Sequence, residues 1–310
     1  MKKLFITVAA LLIGASSVFA QDLASVTETY NNGANALAAD NKADALFYFQ
    51  AALEEATALG DEGAEIADKC KTYIPEIQFL LAKALVNNQD YDNAVAELNK
   101  TIDLAKKYGA NETAESASDL IPQVLMQKAN SLLNAKDYAG AVEGYKAVLA
   151  ADPSNGVAAL RMGAALNSSG DKEGAIEAFK VAIANGQEKA AVKQISNIYL
   201  KNAAAALKAK KYADAVDEAL KVNEYGDNAK AYQIAAQASQ SLKKTDDAIK
   251  YFEKYLELSP SAGNFTQVAY TVGALYQQKG NKAKAVEFYQ KAITDPQFGA
   301  EAQKQINALK

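Results

Sequence analysis

One pattern recurs seven times along the chain: a small residue, an alanine twelve positions later, and usually an aromatic residue four positions beyond that. The clearest copy is Gly163, Ala175, Phe179 and Ala182. Gly33, Ala45, Phe49, Ala52 and Gly273, Ala285, Tyr289, Ala292 repeat it. Looser copies fall on Ala82/Ala94/Leu98, Ala129/Ala141/Tyr145, Ala203/Ala215/Ala219 and Ala236/Ala248/Phe252. Self-similarity of this kind is the mark of stacked units that each bury an apolar face against the next.

Within a copy the apolar residues follow helical spacing. In the fourth, Leu160, Met162, Ala164 and Leu166 lie on one predicted helix, and Ala175, Ile176, Phe179 and Ile183 on the next. Ser169-Gly170-Asp171 is the predicted turn between them. Gly163 and Ala175 let two backbones approach closely, while Phe179 fills the space beside them. Asp40-Asn41, Gln89-Asp90, Lys136-Asp137, Gly170-Asp171 and Gly280-Asn281 supply turn chemistry at matching places. Tyr91, Tyr138 and Tyr212 follow at a shared position, and Pro153, Pro260 and Pro296 come after a second helix, which they cannot continue.

The pattern resembles the tetratricopeptide repeat, a helix–turn–helix unit, over roughly residues 26–299. The resemblance implies an all-α superhelical solenoid of about seven repeats, at 26–59, 75–108, 122–154, 156–187, 196–226, 229–262 and 266–297. The first two spacings between second-helix alanines, 49 and 47 residues, exceed the family period of about 34 by more than a dozen. Each insertion runs through Ala/Glu-rich sequence to Ile-Pro, and is expected to form extra helical turns. Pro75 and Pro122 are expected to begin or kink the helix that follows. Residues 300–310 form an expected capping helix, with Phe298, Ala302, Ile306 and Leu309 on its apolar stripe.

Residues 1–20 carry the pattern of a secretory leader. Lys2 and Lys3 precede an apolar run from Leu4 to Ile13, and Ser17-Val18-Phe19-Ala20 ends in a small-residue cleavage site. The run is shorter than the ~20 residues a membrane span requires. The expectation is an exported periplasmic protein starting at Gln21, and not a lipoprotein, since Gln21 and not a Cys stands directly after the site. Loss of Lys2 and Lys3 takes the formal charge from −4 to −6. That mild acidity argues against nucleic acid and against anionic membrane surfaces as partners.

The chain has no histidine and one cysteine, Cys70. This excludes Ser-His-Asp and Cys-His catalysis, His-ligated zinc, and a thiolate zinc or iron–sulfur site within one chain. Neither a phosphate-binding loop nor a calcium loop occurs. Asp246-Asp247 suits the start of a helix, where negative charge is favoured. Neither an enzyme nor a cofactor is expected.

In arrays like the one resembled, the first helix of each repeat lines a concave groove. In the second repeat this register places Glu76, Phe79, Lys83 and Asn87 on the groove; in the third it places Gln123, Met126, Gln127, Asn130 and Asn134. It places Arg161 and Asn167 in the fourth and Asn197 and Lys201 in the fifth, with Gln233 and Gln237 in the sixth and Gln267 in the seventh. Side-chain amides carry both donor and acceptor and can pair with the backbone of an extended peptide. The amides either hold such a segment, with Arg161 and Lys201 taking an acidic group, or keep the helix face solvated. The carboxylate clamp of some family members is poorly matched, because Met126 stands where its lysine belongs and Arg161 where its second asparagine belongs. The expected partner is therefore a protein or peptide held in the groove. Self-association and a glycan stacked on Tyr30, Phe79 or Tyr270 are the alternatives.

Overall fold

The computed structural model describes residues 23–310, so the leader expected over 1–20 lies outside the described residues. Every described element is helical. The described chain falls into two compact units, residues 23–131 and 132–310.

The first unit contains α1 (Leu23–Ala38), α2 (Lys42–Ala58), α3 (Ala64–Asn87), α4 (Tyr91–Tyr108) and most of α5 (Asn111–Asn134). The Phe49 ring is fully buried beneath Tyr30 and stacked on Tyr73, with Ala45, Ala52, Cys70, Ile74 and Ile77 around it. Ala82, Ala94, Leu98, Ala117 and Val124 form a second cluster between α3, α4 and α5. The expected extra turns are present as the leading halves of α3 and α5. They fold there because Ala67, Cys70, Ile74, Ala114 and Ala117 give them an apolar stripe to bury. Pro75 and Pro122 begin neither helix: α3 starts at Ala64, α5 starts at Asn111, and both run through their prolines without a break. Only one intrahelical hydrogen bond is lost at each, and neighbouring turns and tertiary burial hold the helix across it.

The second unit contains α6 (Tyr138–Ala151), α7 (Gly156–Ser169), α8 (Lys172–Ala184), α9 (Glu188–Lys208) and α10 (Tyr212–Asn223). It continues with α11 (Ala229–Ser241), α12 (Thr245–Leu258), α13 (Phe265–Gln278), α14 (Lys282–Ala292) and α15 (Gly299–Leu309). Consecutive helices from α6 to α15 pack in pairs, each pair directly on the next. Phe179, Tyr289 and Phe252 sit against the small residues of the preceding helix. A Cβ built on Gly163 would come within 2.6 Å of the Phe179 ring, and one on Gly273 within 2.8 Å of Tyr289. Those glycines are there because the facing ring occupies the volume of their missing side chain.

All seven turns between first and second helices share one geometry. Asp40, Gln89, Lys136, Gly170, Lys210, Lys243 and Gly280 adopt a left-handed backbone, with φ from 60° to 97°. The next residue donates its backbone N–H to the carbonyl five residues earlier, as in Asp171 to Leu166 at 3.0 Å and Lys211 to Ala206 at 2.9 Å. This is a Schellman helix end, which satisfies carbonyls that the helix leaves open. The same residue is the N-cap of the second helix. Asn41, Asp137, Asp171 and Asn281 accept the backbone N–H three residues on, at 2.8 to 3.3 Å.

The chain closes with α15 as expected. Ala302 and Ile306 cover Ala285, Tyr289 and Ala292, while Gln303, Lys304 and Asn307 face outward. Gln277 binds this end together: it accepts the Tyr289 hydroxyl at 2.6 Å and donates to Gln305 at 3.0 Å. The chain is thus all-α, seven helix pairs and a capping helix, among the described residues.

Candidate functional site

The buried register residues fix which side of each first helix is left accessible. Gly163, Ala203, Ala236 and Gly273 are buried against their second helices. The other side of α7, α9, α11 and α13 then carries residues displaced from them by −6, −3, −2, +1, +4 and +5 positions. Nearly all of these are exposed or half-buried, with Ile234 the exception. On α7 this face presents Arg161 and Asn167, on α9 Asn197 and Lys201, on α11 Gln233 and Gln237, and on α13 Gln267. Lys208 and Lys230 add two more exposed cations. No Asp or Glu stands on this face of the four helices, in a chain with 37 acidic residues.

Several of these side chains are already engaged. The Arg161 guanidinium donates to the Tyr145 hydroxyl, whose pKa burial pushes up while Arg161 pulls it back. Tyr145 is fully buried and Arg161 exposed, so this contact tethers the Arg161 side chain to the helix pair beneath it. Asn197, Lys201, Gln233 and Gln267 make no side-chain hydrogen bond among the described residues and present their polar ends to solvent. Gln277 is spent on Tyr289 and Gln305 and is not available to a ligand. Asn134, at the end of α5, is exposed within this same unit.

The first unit holds the remaining predicted site residues, Lys83, Gln123, Gln127 and Asn130. Gln123 and Gln127 are exposed and Asn130 half-buried. Lys83 lies over the Phe79 ring, 4.1 Å from its centroid, and Gln123 donates to the carbonyl of Asp119 at 3.2 Å. A cation held on a ring face keeps its charge but loses freedom.

The aromatics considered as sugar platforms are packing residues. Tyr30 lies edge-on to Phe49, Phe79 sits in the cluster under Lys83, and Tyr270 packs between Tyr289 and Phe298 with centroids 5.3 and 5.2 Å away. Among the described residues no group of three or more His, Cys, Asp or Glu is placed to hold a metal ion. Cys70 is fully buried and its thiol pKa is pushed up to about 11 by desolvation, the opposite of a reactive cysteine. No described helix is long and apolar enough to cross a membrane.

The lysines of two turns were not singled out by the sequence pattern. Lys210-Lys211 and Lys243-Lys244 carry lysine at both places, where the other turns have Asp, Gln, Lys or Gly at the first and Asp or Asn at the second. Alignment of the turns on the repeat register would have exposed the substitution.

Tetratricopeptide repeat profiles match residues 132–197 and, separately, 75–108, 229–261 and 266–294. Together they span just over half of the chain. The crystal structure of MamA protein aligns over 59% of this chain and 96% of its own, with 24% identity and a TM-score of 0.33. The TPR domain of P58(IPK) aligns over 92% and 97%, with 14% identity and a TM-score of 0.30. YrrB aligns over 63% and 97%, with 21% identity and a TM-score of 0.31. No curated protein matches the chain in sequence. Helix pairing, turn geometry and profile matches agree: the chain belongs to the tetratricopeptide repeat family, a fold suited to protein–protein interaction and scaffolding.

Proposed function

We propose that this protein is an exported scaffold of the bacterial cell envelope, and that the accessible face of α7, α9, α11 and α13 holds an extended segment of a partner protein. The observation that carries the proposal is the charge and polarity of that face. It combines amides (Asn167, Asn197, Gln233, Gln237, Gln267) with Arg161 and Lys201, and it lacks any carboxylate although the chain as a whole is acidic. Amides pair with a peptide backbone whatever its sequence, and the cations favour an acidic side chain or a terminal carboxylate. Rigid helix pairs pre-organise these groups, so little ordering cost falls on the scaffold.

A crosslinked pull-down from the native envelope tests this. Protein carrying Arg161, Lys201, Gln233 and Gln237 changed to Ala is compared with wild type, with folding verified by circular dichroism. A partner retained by wild type and lost by the variant supports the proposal. A partner held equally by both places the interface elsewhere. Export is tested separately, by mass spectrometry of the mature amino terminus, which should begin at Gln21.

A further inference from the structure

We propose that the edge formed by the turns α9–α10, α11–α12 and α13–α14 is a docking surface for an anionic lipid bilayer. The three pairs pack one on the next, which brings their turns to a common edge. The contact is direct at one point: Lys279 at the end of α13 forms an ion pair with Asp246 at the start of α12. Lys208, Lys210, Lys211, Lys243, Lys244 and Lys282 are all exposed along this edge, and no ion pair among the described residues neutralises them. Lys284 pairs with Glu287 at 2.8 Å, and Asp214 and Asp247 are the remaining acids in the first turns of α10 and α12. The edge is therefore cationic in a chain whose formal charge is −4. The whole-chain charge, which argued against anionic surfaces, averages over this segregation.

Four of these lysines stand where lysine is a poor choice for the fold. Lys210 and Lys243 occupy the left-handed position with φ of 61° and 60°, which glycine or asparagine adopts with less strain. Lys211 and Lys244 are N-caps with no side-chain cap hydrogen bond, and they place positive charge at the positive end of a helix dipole. The equivalent pair is Gly170-Asp171 in the α7–α8 turn, where Asp171 caps α8 at 2.8 Å. Lysine serving only solubility has many neutral places to stand. Lys136 takes the same left-handed position in the α5–α6 turn, but Asp137 follows it and caps α6. Only the α9–α10 and α11–α12 turns break both local rules together, which points to a demand outside the fold.

The chemistry of the edge selects the partner. It has lysines and no arginine, so it offers mobile point charges rather than bidentate recognition. Tyr212 is half-buried and the turns expose no large apolar side chain, so neither base stacking nor a shaped protein contact is offered. A row of flexible cations on protruding turns suits a flat, laterally mobile anionic surface. Each unpaired lysine near such a surface contributes roughly fivefold to partitioning.

The test uses protein comprising residues 21–310, which contains every described helix, and removes the uncleaved leader as a source of membrane affinity. Co-flotation is measured with vesicles of phosphatidylcholine alone and with about a third phosphatidylglycerol, at about 50 mM and about 300 mM salt. The key variant is Lys210→Gly, Lys211→Asp, Lys243→Gly, Lys244→Asp, which restores the pattern of the α7–α8 turn and should melt higher than wild type. The control is Lys106→Asp with Lys107→Asp, two exposed residues at the end of α4. The expected result is wild-type binding to anionic vesicles only, weakened by salt. The key variant should bind at least tenfold less, and the control should bind as wild type does. Absent wild-type binding, full binding by the key variant, or equal loss in the control overturns the proposal. So does binding to duplex DNA without binding to vesicles.

Discussion

Gly163→Ala isolates the contact that defines the repeat. On the native backbone the new methyl carbon lies 2.6 Å from two carbons of the Phe179 ring and 3.0 Å from a third. Ordinary carbon contacts begin near ~3.5 Å, so the ring or the helix has to move by about 1 Å. Phe179 has no exposed surface and packs among Ala159, Ala175, Ala182 and Ile195, which leaves no free volume. Overpacking of this size costs about 1–3 kcal/mol, and alanine returns up to about 1 kcal/mol of helix propensity. The expected net destabilisation is about 1–2 kcal/mol. Gly33→Ala is the internal comparison, because its methyl would come no closer than 3.2 Å to Phe49. A few tenths of an ångström relieve that contact, so the propensity gain should bring its net effect to about zero. The Ala236/Phe252 pair shows that alanine and a buried ring can share this register. The assay is urea unfolding followed by far-ultraviolet circular dichroism, with amide exchange of α7 to localise the loss. Phe179→Leu supplies the second arm of a double-mutant cycle, in which Gly163→Ala should become about 1 kcal/mol less costly. Equal costs for the two glycines, or a cost of Gly163→Ala that is unchanged in the Phe179→Leu background, would refute steric matching of Gly163 to the ring.

Other outcomes follow from the same geometry. Lys210→Gly and Lys243→Gly should each stabilise by up to about 1 kcal/mol, since relief of left-handed strain outweighs the added freedom of the unfolded chain; a lowered urea midpoint contradicts this. Cys70 should resist alkylation in the native protein near pH ~8 and react only as α3 opens, so its labelling rate should rise with urea; rapid native labelling contradicts its burial. Tyr232, Tyr276 and Tyr289 are pushed up to about 12, chiefly by burial, with Asp227 and Glu253 adding to the first two. A raised phenol contributes stability that is fully present below the ordinary value of 10 and lost as pH rises through 12, so the melting temperature should fall across that window. Phenolate absorbance appearing in these three at their ordinary value, without unfolding, would contradict it.

Helix pairing was legible because it rests on short-range sterics. Gly163 with Phe179, and Gly273 with Tyr289, declare their contact through residue size alone. Caps such as Asp171 and Asn281 were legible because their chemistry is local. The starts of α3 and α5 were not, because proline suggests a boundary, while burial of Cys70, Ile74 and Ala117 by neighbouring helices carries each helix past it. The accessible face of the first helices followed from the register. The engagement of its members did not: Lys83 on Phe79, Arg161 on Tyr145 and Gln277 on Tyr289 depend on rotamers and on neighbours from other helices. The lysine turns were hidden because lysine is ordinarily a neutral surface residue, and only the left-handed backbone at Lys210 and Lys243 makes it costly there.

Site-specific photo-crosslinking in the native envelope tests the central claim most directly. A photoreactive residue is placed at Lys201 or Gln237, on the accessible face of α9 and α11, and at Glu177, on the exposed side of the second helix α8. The account predicts a common protein adduct from Lys201 and Gln237 and none from Glu177. An adduct formed from Glu177 and absent at the other two positions would contradict it.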